Sequence, residues 1–300
     1  LLGISWMWFF GSVFLTTFTG FAKESLGGDE KVVTLMLAVF SVGIGLGSLA
    51  CERLSGHKVE IGLVPFGSIG MSAFAIDLWL ASKDFVPHAL VGPAAFLADS
   101  SHWRVLVDLF LLAMFAGFYS VPLYALIQSR SDASHRARII AANNILNALF
   151  MVVSALVSAA LLEAGLSLPQ LYLVLGLFNA AVALYIYLLV PEFLMRFIVW
   201  MLIHTVYRLD KTGLERIPEH GPAVIVCNHV SFVDALVIAA ACPRPIRFVM
   251  DHNIFKLPVL SFVFRTGRAI PIAPAREDPE MTKRAFETVA EALRDGDLVG

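Results

Sequence analysis

Residues 139–162, IIAANNILNALFMVVSALVSAALL, decide the fold of the first part of the chain, because they run on without one charged side chain. A helix needs about 20 apolar residues to cross a bilayer core about 30 Å thick. Comparable stretches, separated by short polar loops, lie at 4–22, 32–51, 61–81, 105–127 and 170–190. Six such lengths in succession predict an all-α polytopic membrane bundle rather than a set of buried helices in a soluble protein.

Charge divides the chain into two parts. The 300 residues are 58% hydrophobic and 15% charged, whereas a soluble domain is about 25% charged. Residues 1–190 carry 20 of the charged side chains and residues 191–300 carry 26. The composition therefore predicts a membrane domain over 1–190, a linker over 191–207 and a soluble domain over 208–300. The net charge of −2 provides no basic excess for a nucleic-acid partner.

The loops between the spans indicate an orientation. Loop 128–138 has a net charge of +2, whereas the loops expected on the other side are neutral or acidic. Because lysine and arginine are enriched in cytoplasmic loops, loop 128–138 and everything after residue 190 are predicted to face the cytoplasm. The protein is thus predicted to be a multi-pass protein of the cytoplasmic (inner) membrane.

A few polar side chains within the spans are candidates for a transport path. Asp77 lies late in the third span, where a carboxylate is costly in lipid; an interfacial aspartate near the outer end is the alternative. Asn143 and Asn147 share one face of the fifth span, where they line a polar cavity or hydrogen-bond to another helix. Gly43 and Gly47 form a GxxxG pair, which predicts close helix packing.

The linker is apolar but too short to span a bilayer comfortably. Its charged and aromatic side chains predict a helix lying at the membrane interface. They are Arg196, Trp200, His204, Tyr207 and Arg208. A seventh, short span is the alternative, and it would place the soluble domain on the opposite side of the membrane.

Strand and helix patterns alternate in the soluble part. Short apolar runs predict buried strands at 223–227, 246–250 and 269–273. Longer segments predict helices at 231–242, 253–265 and 280–294. This alternation predicts an α/β domain.

Residues 228–234, Asn-His-Val-Ser-Phe-Val-Asp, carry the chemistry of this domain. His229 and Asp234 meet if the histidine lies on a turn and the aspartate lies in the first turn of the helix. A carboxylate on one imidazole nitrogen leaves the other nitrogen free to remove a proton, as general base catalysis requires. The alternative is a loop histidine beside a helix that Ser231 caps with Asp234 as its partner.

Other reactive groups are less favoured. Cys227 lies in an apolar run, which predicts a buried thiol rather than a nucleophile. The three cysteines form no CxxC pair, which fits a reducing compartment and argues against a disulfide framework. His252 beside Asp251 completes no known metal-ligand spacing with His229, so no metal site is predicted.

The asparagine and HxxxxD pattern after Gly-Pro-Ala-Val-Ile-Val resembles the glycerolipid acyltransferase family. The resemblance implies that His229 deprotonates a lysophospholipid or glycerophosphate hydroxyl and that Asp234 orients and charges the imidazole. The alkoxide then attacks the thioester of acyl-ACP or acyl-CoA as co-substrate, with no cofactor, metal or covalent enzyme intermediate. Asn228 and Ser231 become candidate substrate-binding residues.

The family's second motif ends a short strand with an arginine that helps to hold the phosphate. Ala273 occupies that position here, so Arg268 and Arg276 are the candidates to replace it. Residues 250–258 and 269–274 resemble the acyltransferase parts of bacterial 2-acylglycerophosphoethanolamine acyltransferases. In those relatives, the segment matching 298–300 leads into a third motif of the Phe-Pro-Glu-Gly-Arg type.

The membrane part resembles the C-terminal half of a major facilitator. Gly47, Glu52-Arg53 and Gly56-His57-Lys58 resemble that superfamily's loop signature, and residues 117–128 resemble bacterial lysophospholipid transporters. The resemblance implies half of a major facilitator fold, whose substrate path needs six further spans.

The two resemblances predict a membrane-bound lysophospholipid acyltransferase fused to a transporter-like domain, with lysophospholipid, the acyl donor and the bilayer as partners. One alternative is a major facilitator transporter with a catalytically idle tail. Another is a 1-acylglycerol-3-phosphate acyltransferase whose membrane half is only an anchor. Because the sequence starts at Leu1 rather than Met and stops at Gly300 before the third motif, we expect a fragment that is inactive by itself.

Overall fold

The chain forms two compact units, Leu1–Leu189 and Val190–Gly300, in a computed structural model. The structure describes residues 1–55, 61–86, 89–189, 191–206, 209–218, 220–231, 233–242, 244–257, 261 and 264–300. Within helix 191–206, the side chains of 191–193, 195, 200 and 202–204 are outside this description.

Six helices of the first unit are long and apolar enough to cross a membrane, among the residues described. They are α1 (Leu2–Gly20, continued by a π-helical turn, Phe21–Ser25), α2 (Glu30–Leu54), α3 (Leu63–Ser82), α5 (Ser101–Arg130), α6 (Arg136–Glu163) and α7 (Leu168–Leu189), with a short α4 (Pro93–Ala98) before α5. The six membrane-length helices predicted from the apolar stretches are confirmed. Five of them, α1, α2, α5, α6 and α7, begin before the predicted apolar runs, and in α2, α5 and α6 charged or polar residues form part of the first turn.

Glycines bring the backbones of neighbouring helices into contact. Helix α5 packs along α2 and α3, α3 packs on α7, and α1 packs on α6. A Cβ atom at Gly43 would lie 2.5 Å from the carbonyl oxygen of Phe110, and one at Gly47 would lie 2.1 Å from that of Met114. The close packing predicted for this glycine pair is confirmed, and its partner is α5.

Buried polar side chains also join the helices of this unit. The Asn179 side chain on α7 accepts a hydrogen bond from Trp6 Nε1 on α1 at 2.8 Å. It donates to the Ser68 carbonyl oxygen and to Ser72 Oγ on α3, at 3.0 and 2.8 Å. A buried polar group is costly unless it is bonded, so these contacts fix three helices against one another.

The second unit contains a small parallel sheet. Its elements are α8 (Pro191–Val206), β1 (Ala223–Val224), α9 (Asp234–Ala241), β2 (Ile246–Arg247), β3 (Val249–Asp251), β4 (Ile270–Ile272), α10 (Pro279–Arg294) and β5 (Leu298–Val299), with 3-10 turns at Leu214–Arg216 and His252–Lys256. Strands β1 and β2 pair with β5, and β3 pairs with β4, all in parallel. The Phe248 carbonyl, between β2 and β3, accepts from Ile270 N at 2.7 Å. The spatial order is therefore β1, β5, β2 with β3, and β4.

The strands are shorter than the apolar runs predicted. Strand β1 ends at Val224, and Val226 is 89% exposed. Cys227 is also exposed, so the predictions of a buried strand and a buried thiol are wrong. In the described chain, β1 pairs with β5 on one side only, so the backbone groups of its other side have no strand partner. Strand β5, a central strand, was not predicted because two apolar residues show no pattern.

The predicted helices of this unit differ in their limits. The 231–242 helix begins only at Asp234, and the start of the 253–265 helix is a 3-10 turn, with 258–260, 262 and 263 outside the described residues. The amphipathic helix is confirmed as α10, which Asp278 caps by accepting from Met281 N at 2.8 Å.

The predicted linker helix forms as α8 and packs on α9 within the second unit. Its Ile198, Met201 and Val206 are exposed. Tyr207 and Arg208, and the side chains of Trp200 and His204, are outside the described residues. The placement of α8 at a membrane interface stays a prediction.

Candidate active site

The carboxyl ends of the parallel strands collect several functional side chains at one edge of the sheet. Ligands of open α/β sheets bind outside this edge. The segment with His229 follows β1, His252 follows β3, and Arg276 lies in the turn after β4. Arg268 precedes β4 and lies at the opposite, amino edge.

His229 and Asp234 face each other across the turn that leads into α9. The distance from His229 Nδ1 to Asp234 Oδ2 is 3.3 Å. The same carboxylate oxygen accepts hydrogen bonds from Val230 N at 2.7 Å and from Ser231 N at 2.8 Å. The His229 side chain is 75% exposed and that of Asp234 is 24% exposed. The aspartate is thus fixed by the backbone, while the imidazole is open to a substrate.

The hydrogen bonds to Asp234 also set its charge. The backbone amides of Ser231 and Val230 lower the pKa of Asp234 below its usual range, and the nearby His229 contributes in the same direction. The carboxylate therefore stays ionised at neutral pH. An ionised partner at Nδ1 favours the tautomer that carries its proton on Nδ1, which leaves Nε2 free to accept a proton.

The Ser231 hydroxyl does not cap the helix, so the alternative of a capping pair fails at its serine. The N-cap of α9 is Val233, which makes no side-chain capping bond, and Ser231 Oγ lies 3.5 Å from Val233 N. Instead Asp234 reaches back to the Ser231 amide, as the acidic member of a capping box does. The reason is local, because α9 begins at Asp234 and its N-cap position therefore falls two residues after Ser231. The Asp234 carboxylate also binds the Val230 amide.

Asn228 and Ser231, the candidate substrate-binding residues, flank this pair and are exposed. Cys227 is a free and exposed thiol beside them. No side-chain contact of Asn228 to the imidazole is found in the described residues, so its role in substrate binding stays a prediction.

The structure separates the two candidate arginines. Arg276 is exposed in the turn after β4, at the carboxyl edge. Arg268 has a φ of 53° and its carbonyl accepts from Arg247 Nε at 3.2 Å. Arg247 Nη1 also lies 3.2 Å from Asp297, which precedes β5 and marks the amino edge. Ala273 is buried at the end of β4.

The sequence analysis considered His252 only as a metal ligand and did not place it at the carboxyl edge, where it is a second histidine. His252 Nδ1 lies 3.7 Å from Asp251 Oδ1 and is buried without a hydrogen-bond partner in the described part of the chain. Asp251 accepts from Asn253 N at 2.7 Å, and this bond lowers the pKa of Asp251. The signal was the position of His252 directly after a strand. The residues described contain no group of three or more side chains that could hold a metal ion.

The candidates of unit Leu1–Leu189, called the membrane unit below because its six long helices are apolar enough to cross a membrane, lie in two places. Asp77 on α3 binds Arg104 on α5, whose Nε donates at 3.2 Å. Asn143 and Asn147 on α6 are buried, and the Asn147 amide lies 2.9 Å from Ser5 Oγ on α1. The contact of Asn147 supports hydrogen bonding between helices, and a transport role of either asparagine stays a prediction. The basic turn Gly56–Lys58 of the loop signature lies outside the described residues.

Comparison with known families identifies a family domain in the second unit. Residues 208–300 match the family model described as Acyltransferase. The chain matches no curated protein and no solved structure. The match covers the HxxxxD segment, the parallel sheet and the edge at which His229, Asp234 and Arg276 lie. The chain therefore carries an acyltransferase-family domain over residues 208–300, preceded by a helical region with six helices of membrane-spanning length and composition.

Proposed function

We propose that this protein is a membrane-bound lysophospholipid acyltransferase that takes its acyl group from acyl-ACP or acyl-CoA. The observation that carries the proposal is the 3.3 Å contact between His229 Nδ1 and Asp234 Oδ2 in an acyltransferase-family domain. The donor is a co-substrate, and the mechanism requires no metal or other cofactor.

The proposed reaction begins when His229 Nε2 removes the proton from the lysophospholipid hydroxyl. Asp234 keeps Nδ1 protonated and stabilises the imidazolium that forms. The alkoxide oxygen bonds to the thioester carbonyl carbon, and the carbon–sulfur bond then breaks. The departing thiolate takes the proton from the imidazolium, which yields a free thiol and restores neutral His229.

Arg276 is the proposed contact for the phosphate of the acceptor. A guanidinium pairs with phosphate through two parallel hydrogen bonds, and Arg276 lies exposed at the same sheet edge as His229. Buried Ala273 cannot make this contact, and Arg268 lies at the other edge. We expect Arg276→Ala to raise the KM for lysophospholipid about 10-fold, the effect of losing about 1.4 kcal/mol.

The membrane unit is proposed to admit or move the same amphipathic substrate, as half of a major facilitator-like fold with the acyltransferase domain on the cytoplasmic face. Its six apolar helices and its resemblance to lysophospholipid transporters support this role. The competing function is an anchor for a 1-acylglycerol-3-phosphate acyltransferase, which the same six helices could provide.

The catalytic proposal is tested in the full-length protein reconstituted in vesicles, by measuring thiol release from acyl-ACP or acyl-CoA with lysophosphatidylethanolamine as acceptor. We expect His229→Ala to lower the rate about 10²–10⁴-fold, the usual contribution of a general base. His220→Ala is the matched control, because His220 is an exposed loop histidine of the same unit. Activity retained by His229→Ala would overturn the assignment.

The transport proposal is tested separately, with a fluorescent lysophosphatidylethanolamine placed on one side of the vesicles. We expect the reconstituted protein to speed its movement across the bilayer. Equal rates with and without protein would support the anchor. Replacing the acceptor by 1-acylglycerol-3-phosphate in the thiol assay then distinguishes the two acyltransferases.

A further inference from the structure

A cluster of three charged side chains connects α3 and α5 inside the membrane unit. Arg104 binds both carboxylate oxygens of Asp77, through Nε at 3.2 Å and through Nη2. Asp108 lies one turn further along α5, and its carboxyl group is within hydrogen-bonding reach of Asp77. Asp108 is only 2% exposed, whereas Asp77 and Arg104 are partly exposed.

Asp108 lacks the partners that an ionised carboxylate requires. In the described chain no donor reaches its buried Oδ2 atom. An unpaired buried carboxylate is costly, and two carboxylates in contact do not both ionise readily. Arg104 compensates one negative charge. The cluster is therefore neutral when a single proton is bound, and a protonated Asp108 can donate a hydrogen bond to Asp77.

The described residues of the helices around Asp108 provide no second cation in the middle of these helices. Helices α1, α2, α3 and α4 pack against α5. Among described residues, α1 and α4 have no charged side chain, α3 has only Asp77, and α2 has none between Lys31 and Cys51. Lys31 is exposed at the start of α2, and nearby Glu30 pairs with Lys23. His102, on the same helix as Arg104 and Asp108, faces α4, because its Nδ1 lies 3.1 Å from the Phe96 carbonyl.

We propose that Asp77, Arg104 and Asp108 form a proton-binding site, in which Asp108 holds one proton from water and donates it in a hydrogen bond to Asp77. Loss of this proton places a second negative charge between α3 and α5. Proton binding thereby controls the contact between these two helices. The site lies wholly in unit Leu1–Leu189, so it is independent of the catalytic proposal for His229.

The test is infrared spectroscopy of the full chain in lipid nanodiscs of phosphatidylethanolamine and phosphatidylglycerol. The wild type is titrated between about pH 5 and about pH 9, an interval in which an ordinary aspartate, with a pKa of about 3.9, is ionised. We expect the carbonyl stretching band of a protonated carboxylic acid, and we expect Asp108→Asn to abolish it. The matched control, Asp132→Asn in an exposed loop, retains the band.

A wild type without the band, or a band that survives Asp108→Asn, would overturn the proposal. A second variant covers the case in which Asp108→Asn does not fold. Asp77→Asn removes the neighbouring negative charge and leaves Arg104 free to pair with Asp108. We expect the band to disappear at a pH about one to three units lower than in the wild type. An unchanged titration would contradict a proton shared between the two aspartates.

Discussion

The two units place their polar side chains in opposite ways. In the membrane unit, Asn179 is 1% exposed and holds three partners on two other helices. In the acyltransferase unit, the His229 side chain is 75% exposed and contacts one residue five positions away. Polar groups of the apolar unit thus serve mainly to join helices, whereas those at the sheet edge are held locally and left open for substrate. Asp108, buried without a donor at its Oδ2 atom, departs from the first pattern.

The largest expected effect tests whether the exposed pair of His229 and Asp234 catalyses acyl transfer. Asp234→Asn keeps the shape of the side chain but removes the charge that holds His229 in its productive tautomer. We expect the rate of acyl transfer to fall about 100-fold or more, within the range of general base contributions. Thiol release with lysophosphatidylethanolamine as acceptor measures the effect.

The chain offers a matched control in the other His–Asp pair. Asp251 lies 3.7 Å from His252 at the same edge and accepts one backbone hydrogen bond. Asp251→Asn is expected to retain most of the activity. Equal losses in the two variants would show that the edge as a whole, rather than His229 with Asp234, carries the chemistry.

The same carboxylate predicts an acid dependence of local stability. The pKa of Asp234 is lowered in the folded chain, so its stabilising effect is present above the unfolded pKa of about 3.9. That effect is lost as the pH falls through the lower folded pKa. Hydrogen–deuterium exchange around 228–234 should therefore differ between the wild type and Asp234→Asn at neutral pH. A difference that persists unchanged at strongly acid pH would contradict this linkage.

Gly47 tests the helix packing of the membrane unit. Gly47→Ala places a Cβ where the Met114 carbonyl oxygen would be only 2.1 Å away, so α2 and α5 must separate. We expect a destabilisation of about 1–3 kcal/mol, as for other overpacked sites. Gly45→Ala is the control, since a Cβ there meets nothing within 4 Å. Thermal unfolding in detergent compares them, and equal midpoints would show that the two helices adapt without cost.

Asn179 tests the polar contacts of the same unit with a smaller effect. Asn179→Ala leaves Trp6 Nε1 and Ser72 Oγ without this partner, and interhelical hydrogen bonds in membranes contribute about 0.6–2 kcal/mol. We expect a lower unfolding midpoint with unchanged catalysis. Asn144→Ala, on the exposed face of α6, should leave the midpoint unchanged. A loss of acyl transfer without loss of stability would mean that Asn179 acts on the substrate.

The six long helices of the membrane unit were predictable because hydropathy acts over whole helices. An uncharged stretch as long as the 24 residues of 139–162 is not expected in a soluble domain of ordinary charge. In the structure, this stretch lies in α6, Arg136–Glu163. The contacts between side chains of different helices could not be predicted. Asp77 was a visible candidate, but Arg104 and Asp108 gained their meaning only when α3 and α5 were packed together.

The candidate site was predictable for a different reason. His229 and Asp234 are five residues apart, so a single turn brings them together. Their contact therefore depends on local sequence and not on the packing of distant elements. Ser231 does not cap the helix because α9 begins only at Asp234, which makes Val233 the N-cap residue. Which candidate arginine lies at the carboxyl edge depends on strand direction, which separates Arg268 from Arg276 although they are close in sequence.

The smallest expected effect concerns Arg268, whose backbone is strained and which lies away from the proposed catalytic residues. Its φ of 53° is the left-handed conformation that glycine adopts at helix ends, and Ala269 N bonds back to the Phe264 carbonyl at 2.9 Å. Arg268→Gly should stabilise this turn by up to about 1 kcal/mol, because glycine takes the conformation without strain. Slower hydrogen–deuterium exchange at 264–272, with unchanged acyl transfer, is the expected result. Arg265→Gly, one turn earlier in helical conformation, should have the opposite effect on exchange. If Arg268→Gly loses acyl transfer and Arg265→Gly does not, then Arg268 contributes to the substrate site. The strained conformation at residue 268 would then have a functional role.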